Sequence, residues 1–334
     1  MKLNNSYIIG CHIMFYEIEM VEEYFRSVRY ALEEIENPEK VRVDILFNVS
    51  QYFEDCESEE KLQEIKDRCE NLVVQNFAWC GNFRYKFYSD DEKPYTMADY
   101  RRELNNKGID YDYTIWGESD CLMPRQLFVV LEQISQHAKM NNINRYITTF
   151  AVRKMWDDSW KVLEHNEFTD KPYYDMDTEE DKRKAESSPW SIRYTMSQEE
   201  MDELNNKVDE LDVRLLTHPK FDGSGLVISK DLLMTGANLP PAVYMNGDDS
   251  AFLQSCLLHM GQNYRQFVVK NILKVHNRNH PKKRNYVMGE DSSKNTHFKR
   301  ATRNWYKEFN EVSKGNMDKL YYSQEPFSKK EIKK

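Results

Sequence analysis

In Ile115-Trp116-Gly117-Glu118-Ser119-Asp120, two carboxylates spaced i and i+2 directly follow an apolar run. Oxygen ligands at that spacing suit a hard divalent cation, and a cation held there would neutralise a departing diphosphate. A solvated acidic loop has the same composition, so the motif takes its meaning from its surroundings. Three other groups supply them. Asp222-Gly223-Ser224-Gly225 leads into Leu226-Val227-Ile228-Ser229. Two glycines before a short strand allow close backbone approach to a ligand, or form a simple turn. Gly247-Asp248-Asp249-Ser250 opens a helical stretch. Acids there complement the helix dipole, or one of them takes a proton from an acceptor hydroxyl. His276 follows the apolar run 268–275, where a ligand role and a structural role both fit, and His280 competes for the former.

Strands and helices must carry these groups to one edge. Residues 6–11 read as a strand, and 17–35 as a helix with Val21, Tyr24, Phe25, Val28, Ala31, Leu32 and Ile35 at helical spacing. Residues 41–48 form a β-branched strand, 59–70 a helix and Leu72-Val73-Val74-Gln75 a third strand. A helix over 96–107, a strand over 113–116, a helix over 124–137 entered at Pro124 and a strand over 144–152 follow. Residues 156–190 are polar and aromatic, with a charged centre, and read as an insertion or lid. Beyond it the pattern predicts a polar helix over 197–211, a strand over 226–228, and a helix over 229–236 that Ser229 caps. A helix over 248–261 and a strand over 266–275 complete the alternation. After His280-Pro281 the chain is basic and helical, with a loose end beyond Ser323. Alternating strands and helices imply an α/β fold: a mostly parallel sheet covered on both faces, with ligands beyond the strands' carboxyl ends.

The order of the four groups resembles the GT-A family of nucleotide-sugar glycosyltransferases. The family's aspartate-x-aspartate metal motif is matched by Glu118-Ser119-Asp120, its glycine strand by Gly223-Ser224-Gly225, its acidic pair by Asp248-Asp249, and its late metal-binding histidine by His276. Asp99-Tyr100-Arg101-Arg102 resembles the helical segment whose arginines face the diphosphate. The resemblance spans roughly residues 6–280. It implies a Rossmann-like GT-A fold with a mixed, mostly parallel sheet, and Mn²⁺ or Mg²⁺ held by Glu118, Asp120 and His276. It also implies a nucleotide-sugar donor of UDP-sugar type against Tyr7, Cys11, His12, Asn48, Arg101, Arg102, Gly117, Glu118, Gly223, Ser224 and Gly225, with Phe47 and Ser50 nearby. Asp249 or Asp248 would be the base if the reaction inverts. The metal motif begins with Glu118 where the family has aspartate, which makes Asp120 the firmer ligand. The first strand ends Gly10-Cys11-His12-Ile13-Met14, unlike the family's proline- or threonine-rich loop.

The chain has 334 residues, 40% hydrophobic and 31% charged, which fits a folded protein and excludes a disordered one. It has no apolar run near the roughly 20 residues of a membrane span, and Tyr7-Ile8-Ile9 is too short for a signal-peptide core. A cytoplasmic setting is therefore expected, the host cytoplasm if the gene is viral. The six cysteines show no C-x-x-C spacing and read as buried thiols. Net charge is -9, yet residues 268–334 hold 17 Lys+Arg against 7 Asp+Glu, a local +10 that leaves -19 upstream. Residues 1–280 are expected to form the catalytic domain, with a nucleotide-sugar half (6–123) and an acceptor half (124–280). Residues 281–334 are expected to form a basic helical C-terminal extension.

The acceptor has two readings. The Asn-, Lys-, Tyr- and Met-rich composition looks like that of large bacteriophage proteins, some of which glycosylate hydroxymethylated cytosine in their DNA. Lys282, Lys283, Arg284, Lys294, Lys299, Arg300 and Arg303, with Trp305 and Tyr306, would then track the phosphate backbone, and the target base would be extruded. A saccharide acceptor, of lipopolysaccharide or capsule type, would stack on Trp156, Trp160 and Trp190. A non-catalytic nucleic-acid or partner-binding protein is the alternative from another class.

Overall fold

The computed structural model describes residues 1–14, 17–18, 20–52, 54–56, 58–154, 158–170, 196–244, 247–277, 299–300 and 305–322. Eight strands form one sheet: β1 (Tyr7–Met14), β2 (Val41–Asn48), β3 (Phe83–Tyr88), β4 (Tyr113–Trp116), β5 (Ile147–Ala151), β6 (Val213–Leu216), β7 (Val227–Ser229) and β8 (Gln266–Leu273). Their spatial order is β3-β2-β1-β4-β7-β5-β8-β6. The first four are parallel. β7 is antiparallel to both β4 and β5, β8 is parallel to β5, and β6 closes the far edge antiparallel to β8. This mixed, mostly parallel sheet flanked by helices is consistent with the Rossmann-like GT-A architecture.

All eight residues of β1 are buried, as a strand covered on both faces must be. The alternation of side chains divides them between two cores. Tyr7, Ile9, Cys11 and Ile13 join the core under α1 (Val21–Glu33), α2 (Glu59–Phe77) and α4 (Leu127–Met140). Ile8 joins the core on the opposite face, under α3 (Met97–Gly108) and α7 (Asp248–Met260). Two further helices are short, α5 (Gln198–Asn205) and α6 (Lys230–Leu233). Helix α3 opens with a capping box: Asp99 accepts from the Thr96 backbone N–H (2.9 Å), with the reciprocal bond also made. Ser197 and Glu200 form the same device on α5.

The expected third strand at Leu72-Val73-Val74-Gln75 is instead the last part of α2. Ile65, Cys69, Leu72, Val73 and Phe77 recur at helical spacing and pack into the core, which overrides the β preference of two adjacent valines. The true third strand, Phe-Arg-Tyr-Lys-Phe-Tyr, alternates aromatic and basic residues, as an edge strand can. The helix expected over 197–211 ends at Asn205, and the short edge strand β6 follows. Ser229 opens α6 without a side-chain cap; its hydroxyl accepts instead from the Tyr146 N–H (3.0 Å). Five of the six cysteines are buried and all six are free thiols.

Helix α8 (Trp305–Met317) belongs to the basic tail. Ser313 accepts from the Tyr244 N–H (3.3 Å), and Asn316 donates to the Ala242 carbonyl (2.8 Å). The Phe309 ring lies 6.2 Å from Tyr52 and 5.4 Å from Tyr244. The backbone of Lys299–Arg300 pairs antiparallel with Glu54–Asp55. Of the basic residues read as a DNA-tracking set, Lys282, Lys283, Arg284, Lys294 and Arg303 lie outside the described residues, as do Trp156 and Trp190 and most of 156–190. Among the described residues no helix is long and apolar enough to cross a membrane.

Candidate active site

The carboxyl end of β4 lies against the middle of β1, where Gly10 pairs with Trp116, and the Gly117 N–H donates to the Gly10 carbonyl (2.7 Å). The chain then turns through Glu118, Ser119 and Asp120. The Ser119 hydroxyl donates to Glu17 Oε1 (2.8 Å), while Glu17 Oε2 accepts from the Met14 N–H (2.8 Å). Glu17 thus ties the acidic turn to the end of β1. Because β7 runs antiparallel, its approach, Asp222 through Gly225, arrives at this same edge. The Gly225 N–H donates to the Trp116 carbonyl (2.8 Å), and Gly225 takes a φ of +63°, open to glycine at little cost. From the other side, Val275–His276 pairs antiparallel with Cys121–Leu122, and the Asn277 N–H donates to the Asp120 carbonyl (2.7 Å).

These three approaches converge on a cluster. His276 Nε2 lies 2.9 Å from Glu118 Oε2 and 3.5 Å from Asp120 Oδ1. The ligand atoms of Glu118, Asp120 and His276 all lie within 4.8 Å of one another. Two carboxylates and an imidazole are the donors that Mn²⁺ accepts and Mg²⁺ tolerates. The residues therefore fit a divalent cation.

Arg101 closes the cluster on the α3 side. It donates through Nη1 to Asp248 Oδ2 (2.5 Å), through Nη2 to Glu118 Oε1, and more weakly to the Gly223 carbonyl (3.4 Å). Its guanidinium carbon stands 4.6 Å from the centre of the Trp116 ring. Trp116 is fully buried, and its indole N–H donates to Asn105 Oδ1 (2.8 Å). Burial works to raise the Glu118 carboxyl, but His276 and Arg101 outweigh it and hold that group well below the usual carboxylate range. Burial likewise works against a charged Arg101, yet Asp248 and Glu118 hold it charged. A Cβ on Gly223 would fall 2.5 Å from Arg101 Nη1, so this position takes glycine for close approach.

The other expected residues divide. His12 and Asn48 lie together at the ends of β1 and β2, with Asn48 Nδ2 3.3 Å from His12 Nε2 and bonded to the Tyr95 carbonyl. Ser50 is near them, buried, and donates to the Asp90 carbonyl. Cys11 is buried on the same strand, and burial pushes its thiol up. Ser224 is buried beside Lys274. Arg102 turns away from Arg101 and pairs with Asp99. Tyr7 is not brought to this edge. It sits at the amino end of β1, stacked on Tyr113, with its hydroxyl on Glu132 Oε1 (3.0 Å). Asp249 is half-buried one residue beyond Asp248. Trp160 is half-buried, with Lys220 Nζ 3.9 Å from its ring centre.

Three residues of this edge carry no role from the sequence pattern: Glu17, Asp222 and Lys274. Lys274 donates to Asp222 Oδ1 (2.7 Å) and to the Ser224 carbonyl, with both side chains buried. Lys274 sits between Leu273 and Val275, just past the end of β8, and a lysine flanked by such residues needs a buried partner, which is the signal the sequence offers.

No family model matches the chain, and no curated protein does. Among solved structures it is similar to the galactosyltransferase LgtC in complex with donor and acceptor sugar analogues, at 12% identity and a TM-score of 0.25. The match covers 46% of this chain and 51% of that one, so the chain spans about half the length of that enzyme.

Proposed function

We propose that the chain is a metal-dependent glycosyltransferase that moves a sugar from a nucleotide-sugar donor of UDP-sugar type to an acceptor hydroxyl. The observation that carries the proposal is the convergence of Glu118, Asp120 and His276 beyond the carboxyl end of β4, where open α/β sheets bind ligands. Mn²⁺ or Mg²⁺ held there supplies charge neutralisation for the departing diphosphate.

The chain's own residues do the rest. Arg101, fixed between Glu118 and Asp248, presents positive charge beside the acidic cluster without a flexible side chain to order. Gly223 and Gly225 let backbone approach the donor closely. His12 and Asn48, at the ends of the two strands that begin the sheet, border the nucleoside. We assign Asp249 or Asp248, the latter paired with Arg101, to take the acceptor proton in an inverting reaction. In a retaining reaction no base is required there, and the pair holds sugar hydroxyls. Hydroxymethylated cytosine in phage DNA is the acceptor we put first, because of the basic C-terminal segment; a saccharide is the second.

The test is a panel of nucleotide sugars offered with Mn²⁺, scored for hydrolysis and for transfer to hydroxymethylated DNA and to lipopolysaccharide or capsule saccharides. Thermal stabilisation by one donor together with Mn²⁺ is expected, because ligand binding to the native state raises stability by mass action. No stabilisation and no turnover with any donor favours the non-catalytic binding protein. DNA affinity that falls steeply with salt distinguishes a DNA acceptor from a saccharide.

A further inference from the structure

Asp222 shares its two carboxylate oxygens between different partners. Oδ1 accepts from the Lys274 ammonium at 2.7 Å, and Oδ2 faces His276 Nδ1 at 3.3 Å. Asp222 and Lys274 have side chains 1% and 0% exposed, so neither loses these bonds to water. The Lys274 ammonium also donates to the Ser224 carbonyl, and its backbone N–H donates to the Ala151 carbonyl at 2.8 Å. Lys274 is therefore anchored at both ends, and it fixes Asp222 in turn.

A carboxylate only accepts hydrogen bonds. The His276 nitrogen facing Asp222 must then carry hydrogen. Nε2 faces Glu118 and Asp120 and by the same rule donates to them; a cation seated among those carboxylates would take the Nε2 lone pair and leave the ring hydrogen on Nδ1, toward Asp222. The backbone of His276 is held by its pairing with Cys121, so Asp222 settles what the backbone leaves free, the ring's rotation and tautomer. A lysine–aspartate pair serving the fold alone would have no need to face the far nitrogen of a histidine whose near nitrogen lies among two carboxylates.

We propose that Asp222, held by Lys274, is the positioning residue that orients His276 toward the cation. The inference rests on reading Glu118, Asp120 and His276 as a cation site. A carboxylate behind a ligating histidine fixes its tautomer and strengthens it as a donor, and its loss costs about 10- to 100-fold in metal affinity.

The experiment titrates the full chain with Mn²⁺ alone and follows the free ion by electron paramagnetic resonance. Asp222→Asn is expected to weaken binding about 10- to 100-fold. In a His276→Ala background the same change is expected to alter affinity less than about twofold, because a positioning residue acts only through the group it positions. A residue serving the fold alone would weaken binding equally in both backgrounds, and that result overturns the inference. Undiminished Mn²⁺ affinity in Asp222→Asn also overturns it, while leaving the cation site intact. If the wild-type chain binds no Mn²⁺ at millimolar concentration, the cation site fails, and the inference with it. A second measurement needs no change at Asp222. Nitrogen-15 histidine spectra of the wild-type chain with Mg²⁺, assigned by loss of one signal pair in His276→Gln, should show hydrogen on Nδ1 and none on Nε2. Hydrogen on Nε2 contradicts the proposal.

Discussion

Arg101 and Trp116 are held face to face, the guanidinium carbon 4.6 Å from the ring centre, Arg101 in the amino-terminal half of α3 and Trp116 at the carboxyl end of β4. The pair joins packing to electrostatics. The ring buries one face of the cation, and the edges of that cation reach Glu118 and Asp248. A buried charge of this kind is tolerated only with its partners in place.

Replacing Arg101 by methionine should therefore destabilise the protein by about 3 to 5 kcal/mol, since it leaves two largely buried anions without their cation. Urea unfolding measures it. Adding Glu118→Gln and Asp248→Asn to the same chain should recover part of the loss; no recovery would show that the ion pairs are not what Arg101 supports.

Trp116→Phe removes the donor that satisfies Asn105 Oδ1 in the core. The unsatisfied acceptor should cost about 1 to 3 kcal/mol, with a cavity contribution added. A variant as stable as wild type would mean that Asn105 finds another donor.

His12 carries a pH signature. Burial first, and the nearby Arg101 second, push its imidazole down to about 3 from an ordinary 6.5. The unfolded chain takes up this proton below pH 6.5, while the folded chain refuses it until near pH 3. Stability from this group is thus complete above pH 6.5 and declines as the pH falls toward 3, with a limiting slope of about 1.4 kcal/mol per unit. His12→Gln should flatten the loss between pH 6.5 and 5 in urea midpoints. An identical slope in both proteins would contradict a neutral, buried His12.

Gly223→Ala places a methyl 2.5 Å from Arg101 Nη1. With the fold retained, donor turnover should fall by about 10-fold or more, because small displacements of a positioning group are costly. Unchanged turnover would separate Arg101 from the chemistry.

Much of this site was legible in the sequence because its parts lie at strand ends. Residues 113–116 and 41–48 are strands with the expected bounds, since β-branched runs flanked by turns leave little choice. Glu118, Asp120 and His276 were marked by residue type and place. What was not legible is what happens across the sheet. The antiparallel direction of β7 brings Asp222 to this edge, and a strand's direction is set by packing after the chain is folded. Asp248 looks like a helix-opening acid in sequence, and only α3 laid beside it reveals Arg101 as its partner. Tyr7 shows the converse: it lies on the expected strand, but at the end away from the cluster.

The most direct measurement compares Mn²⁺-dependent hydrolysis of the active nucleotide sugar by the wild-type chain and by the double variant Glu118→Ala, Asp120→Ala, with unfolding curves confirming that both are folded. The account predicts hydrolysis that requires Mn²⁺ in the wild type and none in the variant. Full activity in the folded variant would contradict it.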